Sequence, residues 1–452
     1  VSARLMELYA AFLAHTDAQV GRLRDALKEM GQYDHTLFVY IVGDNGASAE
    51  GGPKGSSNYM GDLQGIVSDV ARYAEAPETL TGENTYAHYN AGWAWGTNAP
   101  FQWTKQVASH LGGTRNPMVI AWPERIRDRG GLRSQFGHVN DIVPTILEAT
   151  GIPFPASVDG VPQRPLDGVS LAYSFDDAKA PERHTTQYFE IFGNRALYHD
   201  GWMASAFRGR VPWTAGIGGG GADFGSDRWE LYDLRTDFSQ ATDLAAQSPA
   251  KLRELQQLFD AEAAANDVLL HNLSRDAMRF PNLAGDRTRF SYRAGTIGVA
   301  EKEAPNTKTR SHAIEAHVRV PASGAGGVLA TLGGRSAGWS LYLDDDGVPV
   351  YRLRVFDAEE ITLRGRAPLA PGEHVLRYEF VAGGAGPAPG GTGRLLVDGE
   401  EAASASIRRS APMYYSIDET FDIGLDTGSS PAGYRAPYPF TGQIERVDVE
   451  LL

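Results

Sequence analysis

The sequence predicts three regions in series: an α/β domain over residues 1–184, a small antiparallel sheet with a helix over 185–284, and an all-β sandwich over 285–452. Three observations carry that prediction. A long amphipathic helix runs directly into an unbroken apolar strand, the rhythm of a layered α/β domain with a largely parallel sheet. Alternation of strand and helix resumes after residue 118. Beyond residue 285, helical periodicity gives way to two-residue alternation punctuated by turn signals.

The helix occupies the first thirty residues. Leu5, Leu8, Tyr9, Phe12 and Leu13 follow the i, i+3, i+4 rule, Val20, Leu23, Leu27 and Met30 continue it, and Gly31 suits the position after the last turn. Leu37-Phe38-Val39-Tyr40-Ile41-Val42 reads as a strand covered on both faces. Residues 46–104 are rich in Gly, Ser, Asn, Tyr and Trp and read as a long loop with one helix near Gly65 to Tyr73. A loop this long is usually functional. Its aromatics (Tyr86, His88, Tyr89, Trp93, Trp95) favour an ordered segment that covers a site. Met118 to Trp122 predicts another covered strand. The helix after it starts near Asn140 or Asp141, tolerates Pro144 in its first turn and ends at Gly151. Residues 185–235 suggest short antiparallel strands. Ser248-Pro249 then opens a helix with Leu252, Leu255, Leu258 and Phe259 on one face. In the last region Ala313 to Val320 and Tyr351 to Val355 alternate, turns recur at Asp346-Gly347, Pro371-Gly372 and Asp398-Gly399, and Gln443 to Leu451 gives an ordered final strand.

With 452 residues the chain can bury a sizeable core. A net charge of −14 argues against nucleic acid or an anionic membrane surface as the main partner. No apolar run approaches the roughly 20 residues of a membrane-spanning helix. There is no cysteine. Disulfides, thiolate metal sites and a cysteine nucleophile are thereby excluded from these residues, and cytosol and periplasm remain equally compatible.

Two stretches carry chemistry. In α/β sheets ligands bind beyond the carboxyl ends of strands, and there Asp44 and Asn45 offer two hard oxygens to Ca²⁺ or Mg²⁺. Asp-Asn-Gly is also a favoured turn sequence, so a plain turn competes with the metal site. In the second stretch, residues 98–126, Lys105 sits among aromatics and can neutralise an oxyanion held at a metal; a solvated lysine on a helix face is the alternative. His110 is a weaker candidate that can simply pack, and Arg115 one that can pair with a carboxylate.

Four segments, HTDAQVGRLRDALKEMGQYDHTLFVYIVGDNG from residue 15, TKQVASHLGGTRNPMVIAWPERI from 104, GHVNDIVPTILEATGI from 137 and WELYDLRTDFSQATDLA from 229, resemble the sulfatase family within the alkaline-phosphatase-like superfamily. WSLYLDDDGVPVYRL, LLVDGEEA and ETFDIGLDTGSSP extend the resemblance to bacterial arylsulfatases that carry a C-terminal, concanavalin-like β-sandwich. The resemblance implies that Asp44 and Asn45 are two ligands of a divalent metal, Ca²⁺ in most such enzymes with Mg²⁺ as the alternative, and that Lys105 contacts the sulfate oxygens. It implies a small-molecule sulfate ester as substrate. The family's nucleophile is a formylglycine made from cysteine or serine in a C/S-x-P-S-R motif, and these residues contain no such motif. Ser170 is not a substitute, because Leu171-Ala172 follow it. The catalytic base and acid and the first two metal aspartates also lie upstream in the family, so the chain is expected to be the C-terminal portion of a larger sulfatase. The aromatic loop from Tyr86 to Trp103 is the expected wall for the organic part of the ester, and the sandwich is expected to buttress the site rather than bind glycan. A phosphodiester or phosphonate monoester hydrolase of the same superfamily, and a non-catalytic carbohydrate-binding or scaffolding protein, are the competing readings.

Overall fold

The structure, a computed structural model, describes residues 1–82, 85–213, 224–268 and 286–452. The expected join near residue 285 lies outside the described residues. Contacts sort the chain into two units: Met6–Pro53 with Tyr89–Met278, and Val1–Leu5 with Lys54–His88 and Arg279–Leu452.

The opening pattern folds as its periodicity requires, into a helix over Ser2–Glu29 that ends at Gly31 with φ +68°. Its apolar stripe is a different matter. Phe12 is 71% exposed and Met30 62% exposed. The strand Phe38–Ile41 pairs antiparallel with Met118–Ala121, Phe38 opposite Ala121 and Ile41 opposite Met118, in a sheet of two strands. This corrects two expectations, a largely parallel sheet and strands covered on both faces, since Val119 is 55% exposed. An apolar run records a demand for burial and says nothing of strand direction or of what supplies the cover.

The long segment 46–104 also departs from expectation. It holds four short helical turns, Tyr59–Asp62, Val70–Tyr73, Pro77–Thr81 and Ala91–Asn98, rather than one helix from 65 to 73. Three of the four starts follow capping chemistry, Asn58, Asp69 and Asn90 each accepting a backbone N–H of the turn they begin, and the fourth opens on Pro77. The segment divides at His88, so Tyr86 and His88 belong to one unit and Tyr89, Trp93 and Trp95 to the other.

Further along, His138 and Asp141 form a reciprocal capping box ahead of the helix Ile142–Thr150, and Gly151 closes it at φ +69°. Thr186–Ile191, Asn194–His199, Trp202–Ala206 and Glu230–Asp233 make a four-stranded antiparallel sheet in sequence order. The helix Pro249–Ala265 lays Leu255 and Phe259 against its Leu197, Ala204 and Leu231. It begins after Ser248 as expected, although the serine side chain makes no capping bond.

The other unit is dominated by two six-stranded antiparallel sheets. One core serves both: Ile314, Val318, Leu376 and Tyr378 of one sheet meet Leu329, Trp339, Leu341 and Tyr351 of the other. Tyr351 and Tyr378 stack with centroids 3.4 Å apart. Residues 54–88 are part of this unit. Met60 and Ile66 enter its core, and the Gln64 carboxamide accepts the N–H groups of Met413 and Tyr414 at 3.0 Å each. Among the described residues no helix is long and apolar enough to cross a membrane.

Candidate active site

The strand Phe38–Ile41 ends in a sharp turn. Val42 still donates to Pro117 O at 3.0 Å, and Gly43 then takes φ +78°, which favours a residue without a Cβ. Asp44 and Asn45 follow, both exposed, with Asn45 Nδ2 donating to Asp44 Oδ1 at 2.5 Å. Gly46 is packed so closely that a Cβ would lie 1.6 Å from Gly112 O. Its N–H donates to Gly113 O at 3.0 Å.

Two asparagines that the sequence reading did not single out hold this turn. The Asn116 amide donates to Asn45 O (2.9 Å) and accepts from Asn45 N–H (3.1 Å) in the orientation that satisfies both its ends. Asn98 accepts the N–H of Ala47 at 3.0 Å and donates to Trp103 O and Gly112 O. Backbone pairing therefore leaves the Asp44 carboxylate and the Asn45 carboxamide as the polar groups the turn presents outward.

Lys105 is brought to the same neighbourhood by its own backbone, whose N–H donates to Ala47 O at 3.1 Å. Trp103 and Gln106, on either side of it, have φ +67° and +75°. Left-handed geometry is costly for such side chains and concentrates at sites where the surroundings over-determine the backbone. The Lys105 ammonium is one-third exposed and meets the buried carboxylate of Glu50 at 2.9 Å. Glu50 also takes Ser48 Oγ (2.9 Å) and the Gln106 amide. Gln106 Oε1 in turn accepts from Arg210, whose guanidinium burial holds below its usual pKa although Glu50 acts the other way. No sequence signal marks Glu50, which stands alone between Ala49 and Gly51.

The weaker candidates resolve as structural groups. His110 is buried, with Nδ1 2.9 Å from Ser109 Oγ and Nε2 3.2 Å from Glu230 Oε2. Arg115 is expected beside a carboxylate; instead it stacks on Phe238 and Phe101, with its guanidinium carbon 4.1 and 5.4 Å from the ring centres, and burial lowers its pKa. The geometry explains the substitution, because the planar guanidinium is weakly hydrated and stacks on aromatic faces. Ser170 Oγ accepts the N–H of Ala172, a local turn.

A hard divalent cation suits an Asp carboxylate and an Asn carbonyl, yet the pair offers only two of the roughly six to eight oxygens Ca²⁺ takes. Among the described residues the one grouping of three titratable ligand types within 4.8 Å of one another is Glu315, His317 and Asp448, far along the sequence. Arginines already occupy that grouping: Arg377 reaches Glu315 at 2.9 Å, and Arg446 reaches Asp448 at 2.9 Å and His317 at 3.0 Å. Asp44 and Asn45 fit as part of a ligand set and not as a whole one.

Residues 2–152 match the family Sulfatase. An uncharacterized sulfatase of Schizosaccharomyces pombe is 31% identical over 284 residues, which are 60% of this chain and 47% of that protein. An arylsulfatase of Klebsiella aerogenes is 28% identical over 194 residues, 42% of this chain and 38% of that one. The chain thus spans less than half the length of either relative. Among solved structures, one from work on the metabolism of multiple glycosaminoglycans by Bacteroides thetaiotaomicron aligns over 55% of this chain and 43% of its own, at 19% identity and a TM-score of 0.36.

Proposed function

The chain is related to the sulfatase family through residues 2–152, and on that premise we propose that the protein it belongs to hydrolyses sulfate esters, with this chain supplying part of a metal site and a sulfate-binding lysine. One observation carries the reading. The bond from Lys105 N–H to Ala47 O ties the lysine to the turn that presents Asp44 and Asn45, although some sixty positions separate them in sequence.

Each residue has a definite task in this reading. Asp44 and Asn45 hold a divalent cation, Ca²⁺ or Mg²⁺, together with ligands from outside these residues. Such a cation, when bound, supplies Lewis acidity toward the sulfate oxygens. An ammonium has three N–H donors. Glu50 engages one of those of Lys105, which fixes Nζ in place and leaves the others for the sulfuryl oxygens. Positive charge held there is worth most where negative charge grows in the transition state. Trp95 and Trp103, edge to face at 5.5 Å, and the exposed Trp93 offer an apolar wall for an aryl or alkyl group. The nucleophile, a formylglycine in this reading, belongs to sequence outside this chain. We read residues 1–184 and 185–284 as parts of the sulfatase core and 285–452 as a β-sandwich.

Turnover of p-nitrophenyl sulfate and of a phosphonate monoester by the full-length protein tests the proposal. Higher kcat/KM for the sulfate supports it. A preference for the phosphonate by orders of magnitude makes the protein a phosphonate hydrolase, and no turnover of either leaves a non-catalytic protein.

A further inference from the structure

In the all-β unit, residues 81–82 and 85–86, the turn Gly334–Ala337 and residues 415–419 surround a cleft of about 350 Å³. Its walls are held from behind. Buried Glu301 accepts the backbone N–H groups of Tyr415 (2.8 Å) and Ser416 (3.0 Å) and the ammonium of buried Lys308 (2.6 Å). A buried ion pair is tolerated when its remaining lone pairs are satisfied. This one uses them to fix the backbone of the cleft wall. Glu419 is fixed on its other side, where it accepts the N–H (3.1 Å) and hydroxyl (2.5 Å) of Ser429. A ligand entering therefore meets a preformed surface, which lowers the ordering cost of binding.

The groups that face the cleft are less committed. Among the described residues the exposed Arg335 guanidinium has no acceptor, its backbone N–H alone being engaged, by Ser429 Oγ. Asp418 takes the Ser416 hydroxyl on one oxygen, and its other oxygen has no donor among the described residues. Tyr86 is 45% exposed and is backed by Tyr59, the two rings 6.0 Å apart and near parallel at 16°.

We propose that this cleft binds a neutral saccharide unit. A sugar ring has C–H faces that lie against an aromatic ring, and hydroxyls that both donate and accept. Tyr86 matches the first, the carboxylates of Asp418 and Glu419 match the donors, and Arg335 matches the acceptors. The volume is that of a small-molecule site. Charge decides the class: two carboxylates against one guanidinium leave the lining net negative, which works against a sulfated or carboxylated sugar. This inference does not rest on the sulfatase reading: Tyr86, expected in the aromatic wall of the ester site, belongs instead to the all-β unit, and no residue of the cleft is in the same unit as Asp44, Asn45 and Lys105.

Calorimetric titration of the whole chain with neutral tetrasaccharides of glucose, galactose and xylose, and with a sulfated galactan oligosaccharide, tests it. The expected result is saturable binding of at least one neutral probe, weakened about ten-fold or more by Arg335→Ala and by Tyr86→Ala. Both side chains are exposed, so circular dichroism and melting of the two variants stay as in the parent. Absence of binding by all three neutral probes overturns the proposal. So does binding that both variants retain, or a preference for the sulfated probe.

Discussion

The two units satisfy their apolar sequence to different degrees. In the all-β unit Trp339, Leu341, Tyr351 and Phe421 are each at most 1% exposed, and both sheets share the core they form. In the other unit residues 6–30 leave Phe12, Leu23 and Met30 more than half exposed, and Met118, Val119, Val143 and Ile146 are also open. Both regions carry an amphipathic pattern, helical over residues 2–29 and alternating in the all-β strands. One of them finds its cover within the described residues and the other does not, so the strength of an amphipathic signal is a measure of demand and not of packing achieved.

Mutation can break this contrast directly. Trp339→Ala should cost about 3–5 kcal/mol of stability, the usual penalty for emptying an aromatic site in a closed core. It also strips Thr307 Oγ1 of the indole N–H bonded to it at 3.1 Å. Phe12→Ser should change stability by no more than about 0.5 kcal/mol in this chain. Urea unfolding of both variants is the measurement, and similar losses would erase the distinction. A loss of several kcal/mol for Phe12→Ser in a longer polypeptide containing this chain would instead locate the stripe's cover.

Chemistry sharpens it next, because the open unit holds the candidate site. Lys105→Ala in the full-length protein should lower kcat/KM for p-nitrophenyl sulfate by about 100-fold, the scale seen when one oxyanion-stabilising donor is removed. The melting temperature should also fall, because buried Glu50 loses its ion partner, while circular dichroism should show the fold retained. Unchanged kinetics would take Lys105 out of the site.

Gly46→Ala is expected to act the other way round, through structure. The new methyl would fall 1.6 Å from the Gly112 carbonyl oxygen, and backbone cannot give way as a side chain can. A loss of about 1–3 kcal/mol, typical of overpacking, should appear in thermal unfolding together with weaker Ca²⁺ binding by the full-length protein. An unperturbed melt would show that the turn can shift.

The smallest effect is in pH. Burial disfavours the charged form of His184 and is the largest single influence, but the hydrogen bond (2.7 Å) and negative charge of buried Asp141, with Thr186 O and Gln187, together outweigh it and raise its pKa above 6.5. Burial likewise opposes ionisation of Asp141, and the His184, Val169 and His138 donors overcome it, so its pKa falls below 3.8. A raised histidine contributes stability below its unfolded pKa and loses it as pH climbs through the folded value. The depressed carboxylate contributes above 3.8 and loses its part as pH falls. Stability of the open unit should therefore decline modestly as pH rises past 6.5. His184→Gln should flatten that limb of the melting-temperature profile, and a slope that persists would assign it to another group.

Much of this architecture was legible in the residues. The helix 2–29, the Gly31 and Gly151 stops, the four short strands of 186–233 and the alternating strands beyond 286 each follow from local periodicity and turn chemistry. Direction of pairing was not legible, because Leu37 to Val42 has the same apolar content in either orientation. Of the candidate site, Asp44, Asn45 and Lys105 were marked by their place after a strand and by resemblance. Glu50, Asn98 and Asn116 were not, since they act by reaching backbone or side chains up to about seventy positions away, and one sequence contains no trace of such pairings.

The attachment of residues 54–88 to the all-β unit has a practical corollary. Gln64 grips the backbone at 413–414, and Met60 and Ile66 fill part of the interior. Cloning from residue 286 onward would therefore yield a fragment with a hole where those side chains belong and two amides deprived of their acceptor. The all-β portion is one body written in separate passages of the gene, and a recombinant version must rejoin them through a designed linker before it can be studied alone.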